Sequence, residues 1–254
     1  MSQPADRGAD SRRTERDWRL LYVLGGAAAL IAVVVFRRHF GAELTVLMDM
    51  GIISLEPPSS ALAWFALLQD KQFLGLLLLD LFDLVNYMLV GLMFLALYGA
   101  LRRANKVAMT VATATALVGV AIYLASNQAF AMLALSDQYT GANTEAMQAM
   151  FLAAGEALLA IHNPAGIHWG LLLVALAGLV ASVAMLRSSV FGKVTAILGV
   201  VANGLVLTYF VALPLVPAIA FLLPAASAPF RLLWYILIAR RLFQLGRGAL
   251  EVLP

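Results

Sequence analysis

Long apolar runs recur along the whole chain, and short polar or basic stretches separate them. The runs are long enough to cross a bilayer as helices, which takes about 20 residues. They do not alternate apolar and polar residues as the strands of a membrane barrel do. Because backbone groups inside a bilayer must satisfy their own hydrogen bonds, helices are the remaining choice. The pattern therefore predicts an all-α fold, a polytopic transmembrane helix bundle.

The bundle is predicted to have six spans, a tail and two further short helices. Residues 1–17 mix both signs of charge with almost no apolar side chain, which is typical of a disordered cytoplasmic tail, and residues 18–247 form the transmembrane domain. Amphipathic helices are expected at about 59–70 and 144–161, with a loop over 136–145 before the second. The six spans are predicted at about 18–36, 73–100, 107–125, 165–186, 194–213 and 217–243.

The last span contains a proline-rich interruption. Pro224 and Pro229 enclose the sequence AASA. A proline inside a helix removes a backbone hydrogen bond and its ring clashes with the preceding turn. The span is therefore predicted to be kinked or broken between these two prolines.

Basic residues predict the orientation of the bundle, because Lys and Arg in short flanks mark the cytoplasmic side of a membrane protein. The segment 126–164 has neither residue, so we expect it outside, and both amphipathic helices are placed on that outer face. The pair Arg37 and Arg38 is the exception. Both termini are predicted to be cytoplasmic, on the side of Arg102, Arg103, Lys106, Arg187, Lys193, Arg240, Arg241 and Arg247.

Composition supports a membrane protein and excludes several other classes. The chain is 63% hydrophobic and 12% charged, against about 45–50% and about 25% in soluble domains. It has no cysteine, which excludes disulfides, thiolate metal sites and a cysteine nucleophile. The formal charge of +3 comes from basic residues beside apolar runs. Membrane lipids are therefore the expected partners, and nucleic acid is not.

The second span carries the most unusual side chains, Asp80, Asp83 and Asn86. If Arg102 lies at the cytoplasmic boundary, Asp83 is about 28 Å above it at the helical rise of 1.5 Å per residue. That depth is near the outer boundary of an apolar core about 30 Å thick. Two interpretations stay open. The carboxylates are solvated at the outer interface, or they form a pair that binds a cation or carries protons.

Other polar groups are expected at the same outer level. Asn127 and Gln128 end the third span, and Glu156 precedes the fourth. Arg231 lies deep in the last span, and a buried charge needs a partner, which suggests a pairing with Asp83. The candidate ligand-binding residues are therefore Asp80, Asp83, Asn86, Asn127, Gln128, Glu156 and Arg231.

Histidines offer an alternative chemistry. His162 and His168 lie near the start of the fourth span, and together with Asp80 and Asp83 they would suit zinc, with His39 on the same side. Their spacing, with Asn-Pro-Ala-Gly between them, matches no metal-ligand motif, and HEXXH is absent. The expectation is therefore a protein without a cofactor, and a zinc site is the alternative.

The sequence indicates a class of function but no specific activity. No nucleotide-binding or serine-hydrolase motif is present in the sequence. We therefore expect a multi-pass membrane protein, not an enzyme, that binds a lipid or small-molecule ligand, or senses conditions, through its outer polar layer. A membrane-embedded metal-dependent hydrolase and a small transporter are the alternatives.

Three stretches carry a resemblance to a known family: YLASNQAFAMLALSDQYTGAN (Tyr123–Asn143), AAGEALLA (Ala153–Ala160) and VAMLRSSVFGKVTAILG (Val183–Gly199). Together they resemble a bacterial family of six-span membrane proteins that is described only as a domain of unknown function. The likeness covers roughly Ser60–Gly246. It implies a six-span topology in a bacterial cytoplasmic membrane, and it transfers no catalytic or binding residues.

Overall fold

The fold is entirely helical throughout the part of the chain that the computed structural model describes. Its backbone is described for residues 4–40, 58–162, 166–220 and 222–248, and its side chains for 15–35, 58–160, 169–217, 220 and 222–248. Eleven helices lie within these residues: α1 (Pro4–Phe40), α2 (Ala61–Asp70), α3 (Gln72–Leu78), α4 (Leu81–Leu101), α5 (Lys106–Ser126), α6 (Ala129–Thr140), α7 (Glu145–His162), α8 (Gly166–Leu186), α9 (Lys193–Ala212), α10 (Pro217–Ala220) and α11 (Leu222–Gly246).

Six stretches of the described chain are long and apolar enough to cross a membrane. They are Glu15–Val35, Leu81–Leu101, Lys106–Thr140, Trp169–Leu186, Lys193–Ala212 and Leu222–Gly246. Large apolar side chains on these stretches face outward, among them Val111, Val183 and Ile197, each at least 40% exposed. Exposed apolar surface on this scale suits contact with lipid. The predicted all-α fold with six long apolar helices is confirmed in the described residues.

The chain forms two compact units. Unit 1 consists of residues 1–34, 88–118 and 172–254, and unit 2 consists of residues 35–87 and 119–171. The helices α1, α4, α5 and α8 contribute residues to both.

Small residues bring the helices of unit 1 together. A side chain added at Gly199 of α9 would lie closer than 3 Å to Ser182 of α8 and to the Trp234 indole of α11. Gly178 of α8 is in similarly close contact with Asn203 of α9. Short side chains let helix backbones approach closely, which is how membrane helices pack without a hydrophobic driving force between them.

In unit 1, the ends of two helices lie beside an inner part of α1. The Arg102 guanidinium, which follows α4, lies 3.8 Å from the centre of the Trp18 ring in α1. A side chain added at Gly246, at the end of α11, would lie 3.2 Å from the Arg19 carbonyl. The start of the α1 apolar stretch therefore lies beside the ends of α4 and α11.

Unit 2 has its own apolar core. Its centre is the face of α2 formed by Trp64, Phe65 and Leu68, which are buried together with Leu79 and Met132. Gly155 of α7 packs directly on this face, since a side chain added there would lie 2.7 Å from the Phe65 ring. The short helices are thus part of a packed core.

The predicted disordered tail over residues 1–17 is helical from Pro4 onward. Proline is well tolerated in the first turn of a helix, where its missing N–H has no intrahelical role. Extending an existing helix also avoids the cost of nucleation. An ion pair one turn apart, between Glu15 and Arg19 at 2.5 Å, bridges the polar and apolar parts of α1.

The predicted single span over 73–100 is interrupted. α3 ends at Leu78 and α4 begins at Leu81, because Asp80 adopts a left-handed backbone conformation with φ of 63°. The expectation that Asp80 continues the helix of Asp83 is therefore wrong.

A break between Pro224 and Pro229 in the last predicted span, 217–243, is not present, because the described backbone is helical across both prolines. Both lie within α11, which begins at Leu222, and residue 221 lies outside the described residues. Pro224 falls in the first turn, where no intrahelical N–H is needed. The Ser227 hydroxyl donates a hydrogen bond to the Pro224 carbonyl at 2.7 Å and so satisfies a group near the helix start.

The loop predicted over 136–145 starts later. α6 continues through Ser136 to Thr140, and its polar side chains bond locally and to α2. The Gln69 amide donates to the Ser136 hydroxyl at 3.0 Å and to the Asp137 carboxylate at 2.8 Å. The polar residues that suggested a loop therefore form contacts between helices.

Candidate functional site

The candidate site lies in unit 2, at the interruption between α3 and α4. Asp80 occupies the interruption itself, and Asp83 and Asn86 follow on the first turns of α4. Asp83 and Asn86 are three residues apart, so they lie on one side of the helix. Both carboxyl groups are half-buried. We call these three residues, together with Tyr87 and Tyr123, the acidic cluster.

Two tyrosines form one wall of the acidic cluster. The rings of Tyr87 on α4 and Tyr123 on α5 stack with their centres 3.7 Å apart and an angle of 5° between their planes. Such pairs contribute about 0.5–1.5 kcal/mol beyond the area that they bury. The Tyr123 hydroxyl donates to the Asp83 carboxylate at 3.4 Å, which is long for an O–H···O bond. The stack therefore positions a hydroxyl at Asp83.

A second helix interruption adjoins the first. The Asn127 amide, between α5 and α6, donates to the Leu79 carbonyl at 3.2 Å. Its side-chain oxygen accepts from the Ala129 N–H at 3.0 Å and so caps the start of α6. One side chain thus satisfies a carbonyl at the end of α3 and an N–H at the start of α6, which holds the two interruptions together.

Backbone hydrogen bonds of Asp80 form the start of α4. Its carbonyl accepts from the N–H groups of Asp83 at 3.0 Å and Leu84 at 3.4 Å. Its own N–H donates to the Leu77 carbonyl at 3.2 Å. Asp tolerates the left-handed region better than most residues, although a cost remains. The conformation directs the chain from one helix into the next while keeping these backbone groups bonded.

Asn86 is the most unusual group of the acidic cluster. Its side chain is 8% exposed, and its Oδ1 atom is buried with no hydrogen-bond donor in the described part of the chain. A buried acceptor of this kind costs about 1–3 kcal/mol. Buried polar atoms without partners are rare in folded proteins, and each calls for a physical reason.

The remaining predicted ligand residues lie elsewhere. Glu156 on α7 is exposed, and its carboxylate accepts from the Ala61 N–H at 2.7 Å, so it caps α2 beside the Ser60 hydroxyl. The Gln128 carbonyl accepts from the Met132 N–H at the start of α6. Arg231 is half-buried on α11 in unit 1, and its pairing with Asp83 stays a prediction. The structure thus brings Asp80, Asp83, Asn86 and Asn127 to one region.

The alternative metal set of Asp80, Asp83, His162 and His168 stays a prediction. The side chains of both histidines, and that of His39, lie outside the described residues. Among the side chains that are described, no group of three or more His, Asp or Glu converges in a way that would hold a metal ion.

Sequence reasoning did not select Tyr123 as part of the site. A signal was present, because Tyr123 and Asn127 are four residues apart on one helical face and follow a run without polar groups. Nothing local in the sequence, however, shows that this face meets Asp83.

Comparison with known proteins gives one match. The family model described as Domain of unknown function (DUF4386) matches residues 20–240. No curated protein and no solved structure matches the chain. The match begins about forty residues before the stretch on which the resemblance rested, so it includes the apolar part of α1. The chain, a multi-pass membrane protein by its six apolar helices, therefore belongs to the family described as Domain of unknown function (DUF4386).

Proposed function

We propose that this protein is a non-catalytic membrane protein that binds a lipid or small ligand through the acidic cluster. The observation that carries the proposal is the Asn86 side chain, whose buried Oδ1 has no donor among the described residues and which lies one helical turn from the Asp83 carboxylate. Within a helix bundle, polar groups at membrane depth are costly and most often serve a function.

Orientation is part of the proposal. The start of the apolar stretch of α1 lies beside the ends of α4 and α11 in unit 1, which supports two termini on one side of the membrane. The Lys and Arg residues at these helix ends favour the cytoplasmic side of a bacterial cell membrane. The acidic cluster is at the end of α4 opposite Arg102, so it would then lie at the outer face. The helices α2 and α7 would lie at the same face.

Mass spectrometry of the detergent-purified protein tests the proposal. We expect a lipid or small molecule to be retained by the wild-type protein and depleted in Asn86→Leu, which keeps the side-chain volume and removes the buried acceptor. The Asp70→Asn variant is the matched control, because Asp70 is an exposed carboxylate at the end of α2 in the same unit. Equal recovery of every bound species from all three proteins would refute the proposal.

A small transporter is the second candidate. The interruptions at Asp80 and Asn127 favour it, since discontinuous helices form the substrate sites of many transporters. Uptake into liposomes that contain the protein, measured with the molecule recovered by mass spectrometry, separates the two functions. A binding protein leaves uptake at the level of empty liposomes, whereas a transporter raises it in the wild type but not in Asn86→Leu.

A further inference from the structure

Two arginines far apart in the sequence lie on either side of α1 in unit 1. The Arg102 guanidinium, which follows α4, lies over the Trp18 ring at 3.8 Å from its centre. The Arg19 guanidinium lies beside the end of α11, since a side chain added at Gly248 would be 3.2 Å from its Nη1 atom. We call Trp18, Arg19 and Arg102 the basic junction. It lies where the apolar stretches of α1, α4 and α11 begin or end, which is the level of the lipid headgroups.

The Arg102 side chain is held in place and has unused donors. Its neighbour, the Trp18 ring, packs on α4, because a side chain added at Gly99 would lie 2.7 Å from that ring. A cation over a ring face is attracted by the π-electrons, which leaves its N–H groups for other acceptors. The guanidinium is half-buried, and no acceptor among the described residues bonds to it. A guanidinium of this kind is suited to bidentate recognition of a phosphate.

Arg19 is the weaker of the two anion ligands. Its guanidinium pairs with the Glu15 carboxylate at 2.5 Å, and both side chains are exposed. Exposed ion pairs contribute little to stability, so an anion can replace the carboxylate at small cost. Glu15 therefore competes for Arg19, and Arg102 is the main ligand.

Exposed apolar side chains continue from the basic junction along α1. Leu20, Val23 and Leu24 are all exposed. Val23 follows Arg19 by four residues, so the two side chains lie on one side of the helix. A phosphate bonded at the junction would place attached acyl chains beside this apolar surface, whereas a soluble anion would gain nothing from it. Basic groups between membrane helices are known to bind anionic lipid headgroups.

We propose that the basic junction binds the phosphate of one anionic phospholipid, with Arg102 as the main ligand, Arg19 beside it and the acyl chains along α1. The site goes beyond the proposed function, because it lies in unit 1 and shares no residue with the acidic cluster. Basic residues that only determine topology need a positive charge. A lipid ligand needs the planar guanidinium over its ring as well, so exchanging arginine for lysine separates the two roles.

Native mass spectrometry during titration with phosphatidylglycerol in detergent tests the inference. Phosphatidylcholine is the reference lipid, because it carries the same phosphate with a compensating positive charge. We expect the wild type to bind phosphatidylglycerol at least about tenfold more tightly than phosphatidylcholine. Arg102→Lys keeps the charge and is expected to weaken this binding at least about fivefold, because lysine lacks the planar set of donors. Arg187→Lys, at an exposed arginine after α8 in the same unit, is the matched control and is expected to bind as the wild type does.

Glu15→Gln tests the site from the opposite direction. It changes only an exposed side chain and releases Arg19, so we expect tighter binding of phosphatidylglycerol than in the wild type. This variant carries the test if Arg102→Lys does not fold. An affinity equal to or below that of the wild type would overturn the inference.

Three other results would overturn it. Arg102→Lys and Arg187→Lys with the same affinity would show that diffuse charge explains the binding. Equal affinity for the two lipids would show that the site does not select an anion. Displacement of phosphatidylglycerol by excess inorganic phosphate would show that the junction takes soluble phosphate. Asn86→Leu is expected to bind phosphatidylglycerol as the wild type does, so this inference and the proposed function fail independently.

Discussion

Asp80 and Asn86 each carry a local cost that the rest of unit 2 must offset. A left-handed conformation costs an ordinary residue about 1–2 kcal/mol, and Asp80 has φ of 63°. The buried Asn86 Oδ1 atom costs a similar amount. Such departures from local preference concentrate at functional sites, where they persist because the surrounding structure fixes them. Their occurrence six residues apart is the reason for placing the site here.

The Asp80 conformation leads to a prediction that a pair of variants can isolate. Asp80→Gly and Asp80→Ala both remove the carboxylate, but only glycine adopts positive φ without a steric cost. We expect Asp80→Ala to be less stable than Asp80→Gly by about 1 kcal/mol, or roughly 2–4 °C in Tm. Tryptophan fluorescence during heating measures the difference. A Tm for Asp80→Ala equal to or above that of Asp80→Gly would show that the turn imposes no left-handed requirement.

Part of the site could be predicted from residue types alone. Asp80, Asp83 and Asn86 are conspicuous because the residues around them are apolar. The left-handed turn at Asp80 could not be predicted, since the preceding leucines have high helix propensity and no proline marks the end of α3. The hydrogen bond from Asn127 to Leu79 could not be predicted either, because it joins residues far apart in the sequence.

At the scale of helices, small residues decide which faces meet. Gly199 shows this most clearly, because the space for a side chain is occupied by Ser182 and Trp234. Ala177 with Ala181 and Gly178 with Ser182 are small-residue pairs four residues apart on α8, and all four residues are buried. Because this spacing is a local signal, such a packing face can be recognised from the sequence.

Two glycines of α9 form a matched pair for testing this packing. Gly199→Ala places a methyl group against Ser182 and Trp234, and such overpacking typically costs about 1–3 kcal/mol. Gly204→Ala is the control, because nothing lies within 4 Å of the added atom and alanine favours the helix. We expect a lower Tm for Gly199→Ala and an unchanged or higher Tm for Gly204→Ala. Equal values for the two variants would contradict the close approach of α8, α9 and α11.

Helix limits were less predictable than helix faces. The prolines of the last span suggested an interruption at Pro224–Pro229, yet both lie within α11. The charged start of the chain suggested disorder, yet α1 begins at Pro4. In both cases a neighbouring apolar segment extends its helix over residues whose own preferences are weaker, because adding a residue costs far less than starting a helix.

At the scale of the whole molecule, the six apolar helices and the match over residues 20–240 define the protein as a multi-pass membrane protein of this family. An even number of crossings returns the chain to its starting side. The distribution of Lys and Arg then predicts which side that is, with the turn after α4 inside and the turn between α6 and α7 outside. The proposed site depends on this arrangement, since a ligand from outside reaches the acidic cluster only if the far end of α4 faces outward.

Single-cysteine labelling in intact cells tests this arrangement most directly, because the natural chain has no cysteine and each introduced thiol is the only one. Ala104 lies in the exposed turn after α4, and Asn143 lies in the exposed turn before α7. With a membrane-impermeant maleimide, we expect Asn143→Cys to be labelled in intact cells and Ala104→Cys only after the cells are opened. Labelling of Ala104→Cys in intact cells, or protection of Asn143→Cys, would contradict an outward-facing acidic cluster.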